Sequence, residues 1–376
     1  MIKKRFKLNK REMLECTGSM KQFCGIDRVQ YCEGKSKGVE ALFFRTGSGL
    51  NFTVLPDRGL DIYNAEYNGI PLAYLTPAGV VSPKYYDKQG WSWIRTFGGG
   101  LLTTCGLLNV GPPCEFEGEL QGAHGRISTT PAENVIIYQG WIRDKYFLTA
   151  QGTLREERLN KYNLKMERVF EVLAGEREIH VEDRITNEGY RSSPLMILYH
   201  INIGYPFLSE KSFLMTSLKS LLPRDPDTED GKKEYNRFEK PRENYFEKCY
   251  FHIMNQTASG KAMAGIFNPE FEDGIGVVVE WKVDELPRMT QWKMLGKGLY
   301  VNGLEPANCW CDSVANEVKR KGFRPIEPGE RRDFKVKISV VASKKEIEQK
   351  MKVIQALAAP KLKFLPPIIK ERSKSL

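Results

Sequence analysis

Residues 164–185 read LKMERVFEVLAGEREIHVEDRI. Leu164, Met166, Phe170 and Val172 fall on one side of a period-two pattern, and Lys165, Glu167 and Glu171 on the other. After the turn Gly175-Glu176 the alternation resumes, with Ile179, Val181 and Ile185 against His180, Glu182 and Arg184. Successive side chains of a strand point to opposite faces, so each run predicts a half-buried strand. Strand, short turn and strand again is the signature of antiparallel pairing.

The pattern extends outward from this stretch. The β region runs from Val135 to Asn202, with Asn187-Glu188-Gly189 as a further turn. Upstream, VEALFF from Val39 and NFTVL read as strands around Thr46-Gly47-Ser48-Gly49. Leu60 to Tyr67 leads into Asn68-Gly69, a two-residue hairpin signal, and IPLAYL returns. Downstream, strands resume at Tyr250, at Gly276–Lys282, twice within Leu286–Asp312, and at Asp333–Val341. In the last of these Phe334, Val336, Ile338 and Val340 oppose Lys335, Lys337 and Ser339. The expectation is an all-β fold, a sandwich of large antiparallel sheets in one domain over 39–343.

Three segments depart from that rhythm. Residues 82–122 crowd Tyr85, Tyr86, Trp91, Trp93 and Phe97 ahead of Gly98-Gly99-Gly100 and Gly111-Pro112-Pro113. Long aromatic, glycine-rich connections of this kind line sites. The glycine run is no phosphate cradle, since no Lys-Ser/Thr follows it and no strand–helix alternation surrounds it. Residues 219–248 are dense in charge and carry Pro223, Pro226 and Pro241, which reads as a surface excursion shielding a site edge. After Ser343 the period changes: Ile347, Met351, Ile354 and Leu357 recur at helical spacing, predicting an amphipathic helix that Pro360 ends. Residues 344–376 are thus a helix and a basic tail, and 1–38 a basic arm with a short helix within 10–24.

The 376 residues are 41% apolar, enough for a large core. Length alone allows two or three domains, but large all-β folds run as one unit. The net charge of +10 raises the question of a nucleic-acid partner. The termini, 1–11 and 344–376, hold +12, which leaves −2 on residues 12–343. Nucleic-acid binding calls for a basic face on the folded domain, so solvated tails are the reading here. The start MIKKRFKLNKREML lacks the apolar run of a signal peptide, and Pro194–Ile201 is too short to span a bilayer. Free thiols and a cytoplasmic location are expected for the eight cysteines. Cys309-Trp310-Cys311 is too close for a usual zinc pair, and no second pair answers it, so no metal site is assigned.

The stretch Leu286–Asp312 reads LPRMTQWKMLGKGLYVNGLEPANCWCD and places Glu305 at a strand end, before Pro306 and between Asn302 and Asn308. A carboxylate there suits a general base or a structural ion pair with an arginine. Two upstream stretches carry matching groups, Ala123-His124-Gly125-Arg126 and Leu198-Tyr199-His200-Ile201-Asn202. His200 interrupts an apolar strand, and Asn202, two residues on, points to the same face. Two such polar groups need partners or a ligand to offset burial. His124 and Arg126, close together in a glycine loop, suit hydroxyls or an anion. Arg58 and Arg95 are loop-flanked guanidinium forks for vicinal hydroxyls or a carboxylate. Trp91, Trp93, Trp292 and Trp310 are either stacking faces for a sugar ring or core, and Lys293 and Asn308 are candidate hydroxyl ligands. His180 and His252 are read as surface residues.

Taken in order, PDRGLDI, FGGGLLTTCGL, HGRIS, LYHINIGYP and GLEPAN resemble the aldose-1-epimerase-like branch of the galactose mutarotase superfamily, over roughly Val39 to Val341. The resemblance implies a β-supersandwich and a sugar substrate, with no metal or organic cofactor. It assigns Glu305 as general base, His200 as general acid and His124 as a ligand of ring or anomeric oxygens. The superfamily's substrate arginine has no clean counterpart, and Arg95 or Arg58 stands in. Arg126 replaces a glycine, which suggests a substrate with an acidic group. A carboxylate and an imidazolium on opposite sides of a pyranose open it together. The alternatives are an isomerase or lyase acting on an oxidised sugar through the same pair, and a non-catalytic carbohydrate-binding protein. Whether the chain forms a homo-oligomer is left open.

Overall fold

The computed structural model describes residues 9–369; the outer parts of the basic arm and tail lie outside them. An eight-stranded sheet runs, in spatial order, Phe213–Thr216, Lys261–Asn268, Ile275–Lys282, Arg331–Val341, Glu178–Asn187, Asn163–Leu173, Lys145–Glu157, Glu133–Ile142. A seven-stranded sheet runs Lys363–Phe364, Leu218–Pro223, Lys248–Met254, Arg288–Gly296, Leu299–Ala307, Met196–Gly204, Thr103–Leu107. All pairs in both are antiparallel except Leu218–Pro223 with Lys363–Phe364.

The apolar rows read from the sequence face one another. Leu164, Met166, Phe170, Val172, Ile179, Val181 and Ile338 from one sheet share a buried cluster with Tyr199, Ile201, Ile203, Met289 and Leu304 from the other. Burial of that surface, at roughly 25 cal/mol per Å2 of apolar area, is the main term holding the sandwich closed. The row also contains two charges. Arg168 and Asp183 occupy apolar-face positions directly across from each other and are fully buried. Arg168 donates to Asp183 through two nitrogens (2.8 and 2.6 Å) and to Asp61 (2.7 Å). The Tyr199 hydroxyl donates to Asp183 and the Thr104 hydroxyl to Asp61 (both 2.6 Å), so the network ties both sheets.

Three features correct the sequence reading. The expected helix over 10–24 is confined to Lys10–Cys16, and Gly25–Gln30 is a strand paired with Glu40–Arg45. The folded domain therefore begins ahead of residue 39, in a five-stranded meander, Gly25–Gln30 through Ile70–Pro71, beside the two large sheets. The 82–122 connection contains the edge strand Thr103–Leu107. The 219–248 excursion opens as a buried strand, Leu218–Pro223, before the turn Pro226–Glu229. The C-terminal helix, Lys344–Leu357, forms as expected: the Ser343 side chain accepts from the Glu346 N–H, and Glu346 accepts in return from Ala342. No described helix is long and apolar enough to cross a membrane.

Candidate active site

The strand Met196–Gly204 is buried along its whole length, because both faces are covered. Its odd-numbered side chains point into the sandwich. Its even-numbered ones, Met196 and Leu198, pack under Trp93 and Phe97 of the aromatic connection. His200 and Asn202 belong to this second face. Leu198 pairs with Ala307 and Ile201 with Leu304, which puts His200 opposite Glu305. The Nε2 to Oε1 distance is 3.3 Å, and the contact lacks hydrogen-bond direction.

The space for this pair is made by a missing side chain. Gly303 lies on the same face two residues before Glu305. A Cβ there would strike Glu305 Oε1 and stand 3.2 Å from Trp292 Cβ and 3.3 Å from His200 Cε1. Thr290 lies across from Glu305 on the neighbouring strand. His124 arrives from the glycine loop, which docks on the edge strand: the Gly106 N–H donates to His124 and the Arg126 N–H to Gly106. Gly125, at φ 71°, packs against the Gly106 and Asn109 carbonyls, leaving no room for a Cβ. The His124 ring then stands 5.9 Å from His200 and 4.7 Å from Trp93, while the Trp292 ring meets His200 at 5.4 Å and 79°.

Burial dominates the electrostatics. It pushes the Glu305 carboxyl well up, Glu247 adds to the push, and Arg224 opposes it. It pulls His200 down, with His124 adding to the pull and the Asn202 side chain opposing it, and takes His124 to about 4. In this state the proton of the pair sits on the carboxyl. Three buried polar atoms without partners gather on the patch, His124 Nδ1, Thr290 Oγ1 and Glu305 Oε1, beside the His200 and Asn202 side chains, which interact with each other. Buried polar atoms are ordinarily paired, and such a group of orphans marks a place where a polar ligand supplies the bonds.

The structure brings together His200, Glu305, His124, Asn202 and Trp292, and disperses the other candidates. Lys293 pairs with Asn302, an odd number of residues from Glu305, so it points through the opposite face, where its Nζ donates to the Glu234 carbonyl. Asn308 bonds the backbone of Leu195 and Ile197 (2.8 Å each) and serves as a strand staple. Arg58 is buried, donating to the carbonyls of Val81 and Thr96, and Arg95 is exposed on the outer surface beside Trp91 and Ile94. Arg126 faces Glu156 and Glu119 at 3.9 Å each, so the expectation that it greets an acidic substrate loses its basis. Trp310 is core, stacked on Phe251 under Arg288. His252 is fully buried on the inner face beside Gln291, because its parity follows Tyr250 into the sandwich. Glu305 and His200 are neighbours on one side; no ring fits between them.

Sequence reasoning missed Arg224, Glu247 and Gly303. Arg224 closes the strand Leu218–Pro223, and its Nε donates to Asp225 (2.7 Å) and one terminal nitrogen to Glu247 (2.9 Å). The second oxygen of Glu247 accepts from the Trp292 indole (2.9 Å). Nothing local signals this, since both residues sit in a charge-rich run and meet the site only through pairing of distant strands.

The architecture recurs in solved structures. A protein of Klebsiella pneumoniae subsp. pneumoniae, provisionally described as an aldose 1-epimerase, superposes with a TM-score of 0.86 at 22% identity, over 92% of this chain and 91% of that one. A galactose mutarotase-like protein of Clostridium acetobutylicum gives 0.60 at 14% identity, over 85% of this chain and 99% of that one. A galactose 1-epimerase of Lactobacillus acidophilus gives 0.56, also at 14% identity and the same two coverages. At these identities the likeness shows the fold, which is that of the galactose mutarotase-like proteins. The chain itself belongs to the family of the domain of unknown function DUF4432, whose profile matches residues 36–340. No curated protein matches it.

Proposed function

We propose that this chain is a carbohydrate-active enzyme, an aldose 1-epimerase-like mutarotase that interconverts sugar anomers by acid–base ring opening. The observation that carries the reading is the gathering of unpartnered buried polar atoms around an adjacent carboxyl and imidazole. The fold, shared with proteins named as epimerases and mutarotases, supports it as analogy.

The chemistry suits neighbours better than groups set apart. Ring opening removes a proton from the anomeric hydroxyl and delivers one to the ring oxygen, and both oxygens are bonded to the same carbon. Glu305 takes the first proton and His200 gives the second, which requires the shared proton to sit on His200. Burial favours the other placement, so binding must shift it across the 3.3 Å contact. His124 and Asn202 hold hydroxyls, and Trp292 offers its ring to the apolar face of the sugar. His200 and Glu305 retain 5% and 1% exposure. Trp292, His124 and Glu247 are their partly exposed neighbours, and substrate enters past these.

Saturation exchange at the anomeric carbon, followed by NMR over hexoses, pentoses and uronic acids, tests the proposal. Acceleration by the wild type, reduced about 100-fold or more in Glu305→Gln and His200→Asn, is the expected result. No acceleration with any sugar would sink it. A product of altered mass would point instead to an isomerase or lyase on an oxidised sugar, and sugar binding lost without any turnover to a binding protein.

A further inference from the structure

Resting on the proposed role of Glu305, one problem remains: what lets a buried carboxyl act as a base. The groups that face it are His200 on one neighbouring strand, the thiols of Cys105, Cys249 and Cys311, and the charges of Arg224 and Glu247. Cys105 and Cys249 are buried and Cys311 half-buried, and desolvation pushes all three thiols well up, hence neutral. His200 is pulled down and is neutral as well. The fixed charges are therefore Arg224 and Glu247.

Both are anchored. Arg224 is held by Asp225 (2.7 Å), by Glu247 (2.9 Å) and by the Cys249 sulfur (3.0 Å). Glu247 is held between Arg224 and the Trp292 indole, and Trp292 stands against the space that Glu305 Oε1 and His200 Cε1 share above Gly303. Exposure differs sharply along this line. The side chains of Glu305 and Arg224 are 2% and 15% exposed, that of Glu247 31%. Glu247 is thus the charged member that an incoming hydroxyl meets first.

We propose that Arg224 and Glu247 are an opposed pair of positioning residues that sets the charge of Glu305, with Glu247 coupling substrate arrival to activation of the base. Arg224 favours the carboxylate, and Glu247, bonded both to Arg224 and to the Trp292 indole, disfavours it. A sugar hydroxyl donating to Glu247 spreads its charge and weakens the push on Glu305. The balance tips towards the carboxylate as the ring settles against Trp292. Neither residue touches the reacting oxygens, so both act through Glu305.

The test is the pH dependence of kcat/KM for anomeric exchange in full-length Arg224→Met, Arg224→Lys and Glu247→Gln. An opposite charge within about 4–6 Å moves a carboxyl by about 1–3 pH units. Arg224→Met is expected to shift the acidic limb upward by at least about one pH unit, with activity regained at higher pH, and Arg224→Lys to reverse most of that. Glu247→Gln is expected to shift the same limb downward. Equal loss at every pH in Arg224→Met, with no shift in Glu247→Gln, would overturn the proposal in favour of a purely structural role. Should Arg224→Met fail to fold, Glu247→Gln carries the test, since it removes a charge and keeps the shape. Titration of the Glu305 carboxyl by infrared difference spectroscopy, wild type against Glu305→Gln, reads the same shifts without turnover. An inactive wild type would thus sink the mutarotase reading, while unshifted carboxyl titrations would sink the pair.

Discussion

Gly303→Ala should disable the site while leaving the fold standing. The backbone at Gly303 is ordinary strand, with no positive φ, so alanine meets no conformational barrier there. A strand glycine is itself a weakness, and replacing it returns about 0.5–1 kcal/mol. Against this stands overpacking: the new methyl meets Trp292 Cβ at 3.2 Å and His200 Cε1 at 3.3 Å and displaces the Glu305 carboxyl outright. Overpacking of this kind costs about 1–3 kcal/mol, which leaves a net loss of roughly 0–2.5 kcal/mol. Activity responds on another scale, because a shift of about 1 Å in a catalytic group costs on the order of 100-fold in rate. The control is Gly298→Ala on the same hairpin, at φ 74° with nothing within 4 Å. There the penalty is backbone strain of about 1 kcal/mol and the site is untouched. Urea unfolding and anomeric exchange, measured on both variants, separate the effects. Gly303→Ala within threefold of wild-type activity would refute the assignment of Glu305 and His200 as the reacting pair.

Two further outcomes concern the scaffold. Arg168→Met strands Asp61 and Asp183 inside the sandwich and should cost about 3–5 kcal/mol, seen as a lowered urea midpoint; a loss below about 1 kcal/mol would show that the network is not holding the sheets. Glu156 is buried, accepts from the Leu107 N–H, and has its carboxyl raised from 4.5 to about 7, chiefly by burial. A raised carboxyl favours the fold while protonated, so its contribution is complete below pH 4.5 and is lost as pH rises through about 7. Glu156→Gln should therefore gain on the wild type by up to about 3 kcal/mol between pH 5 and 8, and parallel stability curves over that range would contradict the burial argument.

Period-two patterning made the sandwich legible because burial of one sheet face writes itself into every second residue. Leu164 to Val172 and Phe334 to Val340 are the clear cases. The same parity rule, applied to paired strands, would have separated Lys293 from Glu305, but it needs the register, and register is a property of two segments. Arg168 and Asp183 interrupt the apolar alternation and went unread, because their meaning depends on meeting across a turn. His200 and Asn202 stood out because an apolar strand rarely carries polar groups without partners. Arg224 and Glu247 did not, since their places come from strand pairings that no local stretch encodes. Glu305 and His200 also lie closer than ring-flanking chemistry suggested, because neighbouring antiparallel strands bring directly opposed residues side by side.

The strand order has a consequence for synthesis. Arg331–Val341 lies in the middle of the eight-stranded sheet, between Glu178–Asn187 and Ile275–Lys282, yet follows both in the chain. Until it emerges from the ribosome, both of those strands present open edges, and at about 5–20 residues per second Glu178–Asn187 waits roughly 7–30 s. An unpaired edge is a template for wrong pairing, with a neighbouring nascent chain above all. Yield in a heterologous host should thus depend on elongation speed and on chaperones that shield strand edges, more than on the stability of the finished sandwich.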